Sequence, residues 1–138
     1  MTTFVKRLVT GTAVLAAASA GLLIAPTTAS AASYNGVCGS GYAVIDHYDL
    51  GSYGTMYLTY NSSNGNNCVV TVRNSPGAKL WMTAGVKRSG TDWSTTTTDA
   101  GSYSTYAGPK YVYAPGSCID WGGQINGVGQ DFYNTHCG

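Results

Sequence analysis

Lys79-Leu80-Trp81-Met82-Thr83-Ala84-Gly85-Val86-Lys87 alternates without a break. Leu80, Met82, Ala84 and Val86 fall on one side, and Trp81, Thr83, Gly85 and Lys87 on the other. A period of two is the signature of a strand, in which successive side chains point to opposite faces. One apolar face and one mixed face belong to an antiparallel sheet with a buried side and a partly wet side. The stretch therefore predicts a strand over 79–87 and sets the fold class of the chain around it.

Working upstream, Ser75-Pro76-Gly77 is a turn, and Cys68 to Arg73 reads as a strand with Cys68, Val70 and Val72 on one face. Asn61 to Asn67 is a polar turn of Asn, Ser and Gly, residues that tolerate left-handed backbone angles. Thr55 to Tyr60 and Tyr42 to Tyr48 are further strand candidates, the former with Met56, Leu58 and Tyr60 on one face. Downstream, a polar stretch runs from Ser89 to Asp99. Candidates then follow at Ser102 to Tyr106, Lys110 to Ala114, Cys118 to Ile125 and Gln130 to His136, separated by Gly108-Pro109, Pro115-Gly116 and Asn126-Gly127. Turn residues recur every 8 to 12 positions, and no apolar stripe of helical period appears. The expectation is an all-β domain: a small antiparallel β-sandwich or open barrel of about seven to eight short strands.

The other end of the chain carries an export pattern. Lys6 and Arg7 precede an uncharged apolar run, Leu8 to Ala25, and Ala29-Ser30-Ala31 follows Pro26. A positive end, an apolar run and small residues at a cleavage point make residues 1–31 a secretory signal peptide, with 32–138 as the single mature domain. Gly, Ala, Ser and Thr dilute the run below a typical membrane span, so no stable membrane insertion is expected after cleavage. The mature part keeps five cations (Arg73, Lys79, Lys87, Arg88 and Lys110) and six Asp. Without a basic stripe, nucleic acid is not an expected partner.

All four cysteines, Cys38, Cys68, Cys118 and Cys137, lie in the mature part. In an exported domain with a modest core, four cysteines read as two disulfides. Three pairings are open. Pairing neighbours across a β-meander favours Cys38–Cys68 and Cys118–Cys137. No C-x-x-C occurs and only two His are present, which argues against zinc; no metal and no cofactor is expected.

Catalysis leaves little trace. His47 and His136 are the only candidate bases, and no G-x-S-x-G elbow accompanies them. Asp46 lies beside His47 in a predicted strand, where adjacent side chains diverge. A two-carboxylate pair such as Asp46 and Asp120 has nothing in the sequence to bring it together. The expectation is a protein that is not an enzyme. Asn61-Ser62-Ser63 matches a glycosylation sequon. Trp121, within Cys118-Ile119-Asp120-Trp121-Gly122-Gly123, reads as core beside a disulfide, with the two glycines permitting a bulge.

What remains is aromatic surface. Eleven Tyr and three Trp exceed what a small core hides. Tyr48, Tyr53, Tyr57, Trp81, Trp93, Tyr103, Tyr106, Tyr111 and Tyr113 are the candidate binding surface. Such side chains suit protein interfaces and sugar rings alike. They also fill half-buried strand positions by β preference alone.

Five segments resemble spore-associated protein A, a family of small exported proteins of streptomycetes and related actinobacteria. They are Tyr34-Asn35-Gly36-Val37-Cys38-Gly39-Ser40-Gly41-Tyr42, Asn67-Cys68-Val69-Val70-Thr71-Val72-Arg73-Asn74, Tyr106-Ala107-Gly108-Pro109, Cys118-Ile119-Asp120-Trp121-Gly122-Gly123 and His136-Cys137-Gly138. The resemblance implies export, association with the spore or aerial cell surface, and no assigned enzymatic activity. The expected function is binding, in a structural, assembly or adaptor role, with a surface component or a secreted protein as partner. Two alternatives stand beside it. One is a carbohydrate or cell-wall-binding module with a glycan as ligand. The other is an adaptor in a secreted antibacterial particle, using Ala32 to Val37 as an added strand.

Overall fold

The structure, a computed structural model, describes residue 21 and residues 31–138. The expected signal peptide, apart from residues 21 and 31, lies outside the described residues. Eight strands follow in order: β1 (Ala43–Asp49), β2 (Gly54–Asn61), β3 (Asn66–Arg73), β4 (Leu80–Arg88), β5 (Thr98–Tyr103), β6 (Tyr106–Tyr113), β7 (Ile119–Ile125) and β8 (Val128–Thr135). They form two antiparallel four-stranded sheets, β1-β2-β3-β6 and β5-β4-β7-β8. The two disulfides are Cys38–Cys68 and Cys118–Cys137.

Inward-facing residues of both sheets make the main core. Met56 and Leu58 of β2 and Val69 of β3 meet Met82, Ala84 and Val86 of β4 and Ile119, Trp121 and Ile125 of β7. Each large side chain so buried contributes about 1.5–3 kcal/mol. The alternation over 79–87 holds as read: Met82, Ala84 and Val86 are fully buried. The sheets are also tied by a hydrogen bond, Thr71 Oγ1 donating to the Thr83 carbonyl at 2.8 Å. Gly123 makes this approach feasible, because a Cβ there would meet the Thr83 carbonyl oxygen at 2.5 Å.

A second, smaller core lies on the outside of the first sheet. Residues 32–38 fold back across it, so that Ala32, Tyr34 and Val37 cover Val70, Val72, Tyr57 and Tyr106. The Ala32 amide donates to Asn74 Oδ1 at 2.8 Å, Tyr57 donates its hydroxyl to the Ala32 carbonyl, and Cys38–Cys68 fixes the far end. The face carrying Cys68, Val70 and Val72 is thus buried beneath the chain's own arm. In the isolated chain the segment Ala32 to Val37, expected as an added strand in an adaptor role, is engaged with its own first sheet.

Three local expectations change. The fifth strand begins at Thr98 and ends at Tyr103, upstream of the expected 102–106, because Thr98 and Asp99 pair with Gly85 and Ala84. Gly108-Pro109 lies inside β6 instead of before a strand, at an irregularity in the β3–β6 register; a bulge is where a strand tolerates proline. The bulge near Trp121 falls between Ile119 and Trp121, not at the glycine pair. Trp121 itself is fully buried and stacked on Phe132 at 4.7 Å between ring centroids. Asn61 of the sequon is buried, with its Oδ1 accepting from the Ser63 amide.

Candidate functional site

The outer face of the second sheet holds a groove. Its floor follows from strand register. Thr98 pairs with Gly85, Gly85 with Gly122, and Gly122 with Asp131, so one row crosses all four strands. The two central positions of that row carry no side chain. The neighbouring row places Thr83 beside Gln124, and Gln124 beside Gly129. On the other flank Lys87 pairs with Asp120. The result is a trough of about 620 Å³, lined by Thr83, Gln124, Gln130 and Asp131 and flanked by Trp93 and Tyr133. That volume lies within the range of small-ligand sites.

Trp93 reaches the trough from the β4–β5 connection. Gly85 leaves room for it: a Cβ there would stand 2.9 Å from the indole ring. The loop carrying it is held by a turn in which the Thr97 and Thr98 amides donate to the Ser94 carbonyl, and the Ser94 amide donates to Thr97 Oγ1 at 2.8 Å. Lys110 Nζ donates to the Thr95 carbonyl at 3.0 Å. The indole also covers Lys87, whose Nζ is 4.9 Å from the ring centroid.

Beneath Trp93, Lys87 and Asp120 form a buried ion pair at 2.5 Å. Asp120 Oδ1 accepts from Ser89 Oγ at 2.5 Å and from the Asn134 amide at 2.9 Å. Burial works to raise the Asp120 carboxyl, but the bonds from Lys87, Ser89 and Asn134 outweigh it and hold the group below its ordinary value. Asp131 differs. Partial desolvation pushes its carboxyl up, with the Tyr133 hydroxyl partly opposing the shift. It is the single formally charged side chain lining the trough.

The nine aromatic candidates separate. Trp93 forms a wall of the groove. Trp81, half exposed, faces the same side as Thr83 and Gly85, about 13 Å along β4 from Gly85 at a strand rise of ~3.3 Å per residue. Tyr57 and Tyr106 pack under the arm, and Tyr53 and Tyr103 pack on the main core. Tyr111 donates its hydroxyl to the Cys38 carbonyl and meets Tyr42 edge-on. Tyr48 lies edge-on to Phe132. Tyr113 is exposed beside Gly65, apart from the groove. Gln124, Gln130 and Asp131 were not among the candidates that the sequence offered for a binding surface. The available signal was glycine at 85, 122 and 129, since glycine inside a strand marks a close approach or an empty place.

The candidate acid–base residues are engaged elsewhere. Asp46 Oδ2 lies 3.5 Å from His136 Nε2, a half-exposed contact. Asp120 is held by Lys87, and Asp99 accepts from the Tyr103 hydroxyl at 2.5 Å and from the Gly108 amide at 2.7 Å. Among the described residues, no three His, Cys, Asp or Glu gather as a metal site, and no helix is long and apolar enough to cross a membrane.

No protein-family model matches the chain, and no solved structure matches it. Spore-associated protein A of Streptomyces coelicolor is 48% identical over 130 residues, covering 88% of this chain and 82% of the relative. The chain belongs to the spore-associated protein A family. The segments on which the resemblance to this family was read fall on structural elements described above. Tyr34 to Tyr42 contains most of the docked arm, Asn67 to Asn74 is the doubly covered β3, and Cys118 to Gly123 brings Asp120 and Gly122 to the groove.

Proposed function

We propose that this member of the spore-associated protein A family is an exported, non-catalytic protein that resides at the spore or cell surface and binds a polysaccharide chain in the glycine-floored groove. The observation that carries the reading is the row Thr98–Gly85–Gly122–Asp131, whose two central glycines open a trough flanked by Trp93 and Tyr133. Aromatic faces suit the apolar faces of sugar rings, and Thr, Gln and Asp suit their hydroxyls. The groove's single carboxylate supports binding over hydrolysis, since the usual glycosidase route needs two flanking the bond. Two disulfides and the apolar run in residues 8–25 support export. The name of the relative from Streptomyces coelicolor supports the spore surface as the place.

The test is retention of purified, oxidised 32–138 on insoluble spore-wall and cell-wall polysaccharide. Wild type is retained and is released by soluble oligosaccharide, while Trp93→Ala is not retained. Equal retention of the two proteins removes the groove from the account. A second reading, a protein adaptor, is favoured by edge strand β1, which exposes Val44, Ile45 and Tyr48. Such edges recruit strands from other chains. Capture of one defined protein at fixed stoichiometry, lost in Ile45→Lys and kept in Trp93→Ala, would put this reading first.

A further inference from the structure

We propose that the groove selects polysaccharide bearing free amino groups, a hexosamine polymer at least partly lacking its acetyl groups, by pairing a ring ammonium with Asp131. This rests on the polysaccharide reading above and adds a ligand class to it. Three features place an ammonium there. First, the Asp131 carboxylate lies over the floor of the trough: its Oδ1 occupies the space that a Cβ on Gly122 would need. Second, among the described residues the charge has no cation of its own in the groove. Lys87, beside the trough, is committed to Asp120 at 2.5 Å. Arg88 donates to the Tyr113 carbonyl at 2.9 Å, and Lys110 to the Thr95 carbonyl at 3.0 Å. Third, the flanking walls are Trp93 and Tyr133, and aromatic faces attract cations.

The same geometry disfavours other ligands. A phosphate-bearing or uronic-acid chain would bring negative charge against Asp131. A neutral chain stacks on the aromatics but leaves Asp131 without a charged partner. An ammonium on a ring held between Trp93 and Tyr133 satisfies both. Gln124, Gln130, Thr83 and Thr98 remain for ring hydroxyls and for any acetamido groups still present.

The test uses oxidised 32–138 and three β-1,4-linked oligomers of equal length: deacetylated hexosamine, N-acetylated hexosamine and nitrogen-free glucose. Calorimetry at low salt should give the deacetylated oligomer an advantage of about fivefold, the size expected of a solvent-exposed charge pair. Salt should shrink that advantage. Asp131→Asn should abolish that advantage, read as the ratio between the deacetylated and the neutral oligomers, whatever it does to the neutral ones. Asp49→Asn, which removes the same charge from the first sheet, should keep it. Equal affinity of wild type for the deacetylated and acetylated oligomers overturns the amine preference and leaves the polysaccharide reading standing. So does an advantage that persists in Asp131→Asn or disappears in Asp49→Asn. Failure of wild type to bind any of the three overturns both readings. Thermal midpoints of the two variants no lower than that of wild type in 1 M salt, where interactions between charges are screened, exclude misfolding as the cause.

Discussion

Gly85 and Gly122 are direct partners across the central pair of the second sheet, and neither puts a side chain into the space above it. An added Cβ meets different obstacles at the two places. At Gly85 the nearest atoms are the Trp93 ring and Thr98 Oγ1; at Gly122 they include the Asp131 carboxylate and, at 2.6 Å, the Gln130 carbonyl. A side chain can swing aside, but a paired backbone cannot. Gly85→Ala should therefore cost about 1 kcal/mol and Gly122→Ala clearly more, within the ~1–3 kcal/mol usual for overpacking. Denaturant midpoints give the order. Gly85→Ala should also shift Trp93 fluorescence and weaken glycan binding about tenfold, or roughly 1.4 kcal/mol.

Lys87 and Asp120 stabilise each other only as a pair. Asp120→Asn leaves a buried ammonium facing a neutral amide, and Lys87→Met leaves a buried carboxylate with hydrogen bonds alone. Each single change should cost about 3 kcal/mol, whereas Lys87→Met combined with Asp120→Asn should cost much less than the two summed. Additive losses in that double-mutant cycle would mean that the pair does not interact.

Acid should act on the same pair. The Asp120 carboxyl is held below its ordinary value in the fold. Its stabilisation is then fully present above the unfolded carboxylate value of about 3.9 and is lost as pH falls through the lower folded value. Wild type should lose thermal stability through that acid range, and Asp120→Asn should show a flatter acid limb from a lower starting point. A limb of equal slope in both proteins would assign acid unfolding to other groups.

Asp131 should behave in the opposite sense. Its carboxyl is raised in the fold, so ionisation is easier in the unfolded chain, and the charged group disfavours the fold once pH exceeds its unfolded value. Asp131→Asn should raise the melting temperature slightly at neutral pH and leave it unchanged well below the unfolded carboxylate value. A group proposed to bind ligand and found to oppose folding would fit the general trade between stability and function. A neutral-pH melting temperature that falls would contradict it.

The arm and the groove should separate experimentally. Cys38→Ser with Cys68→Ser removes a bridge spanning 30 residues, worth about 3–4 kcal/mol on the chain-entropy account. It also removes the covalent tie between residues 32–38 and the first sheet, leaving the arm held by packing and the Ala32 hydrogen bonds. Limited proteolysis should then cut the arm quickly, while glycan binding on the opposite sheet persists. Loss of binding in step with arm cleavage would show the two faces to be coupled.

The alternation over 79–87 was enough to place β4 and its buried face, because a strand's two faces repeat at short range. The polar run Thr95–Thr98 hid the start of β5. Threonine suits strands as well as loops, and only the pairing of Thr98 with Gly85 decides between them. Lys87 read as a half-wet residue because its partner, Asp120, lies 33 positions away. Gly85 and Gly122 were legible as single glycines but not as one trough, since their register depends on which strands become neighbours. The aromatic count pointed to a binding surface. The structure instead spends much of it on packing: Tyr57 and Tyr106 hold the arm, and Tyr53 and Tyr103 close the main core.

Sheet order has a consequence for how the molecule comes into being. β3 pairs with β6, yet β4 and β5 of the other sheet lie between them in the chain. β4 in turn pairs with β7, which follows β6. The two sheets are interleaved like the fingers of folded hands: the first waits for β6, made after β4 and β5 of the second, and the second waits for β7 and β8. A growing chain has no stable half to rest in until residue 125 has emerged. Such a chain has little to close upon for most of its synthesis and folds late, as one unit.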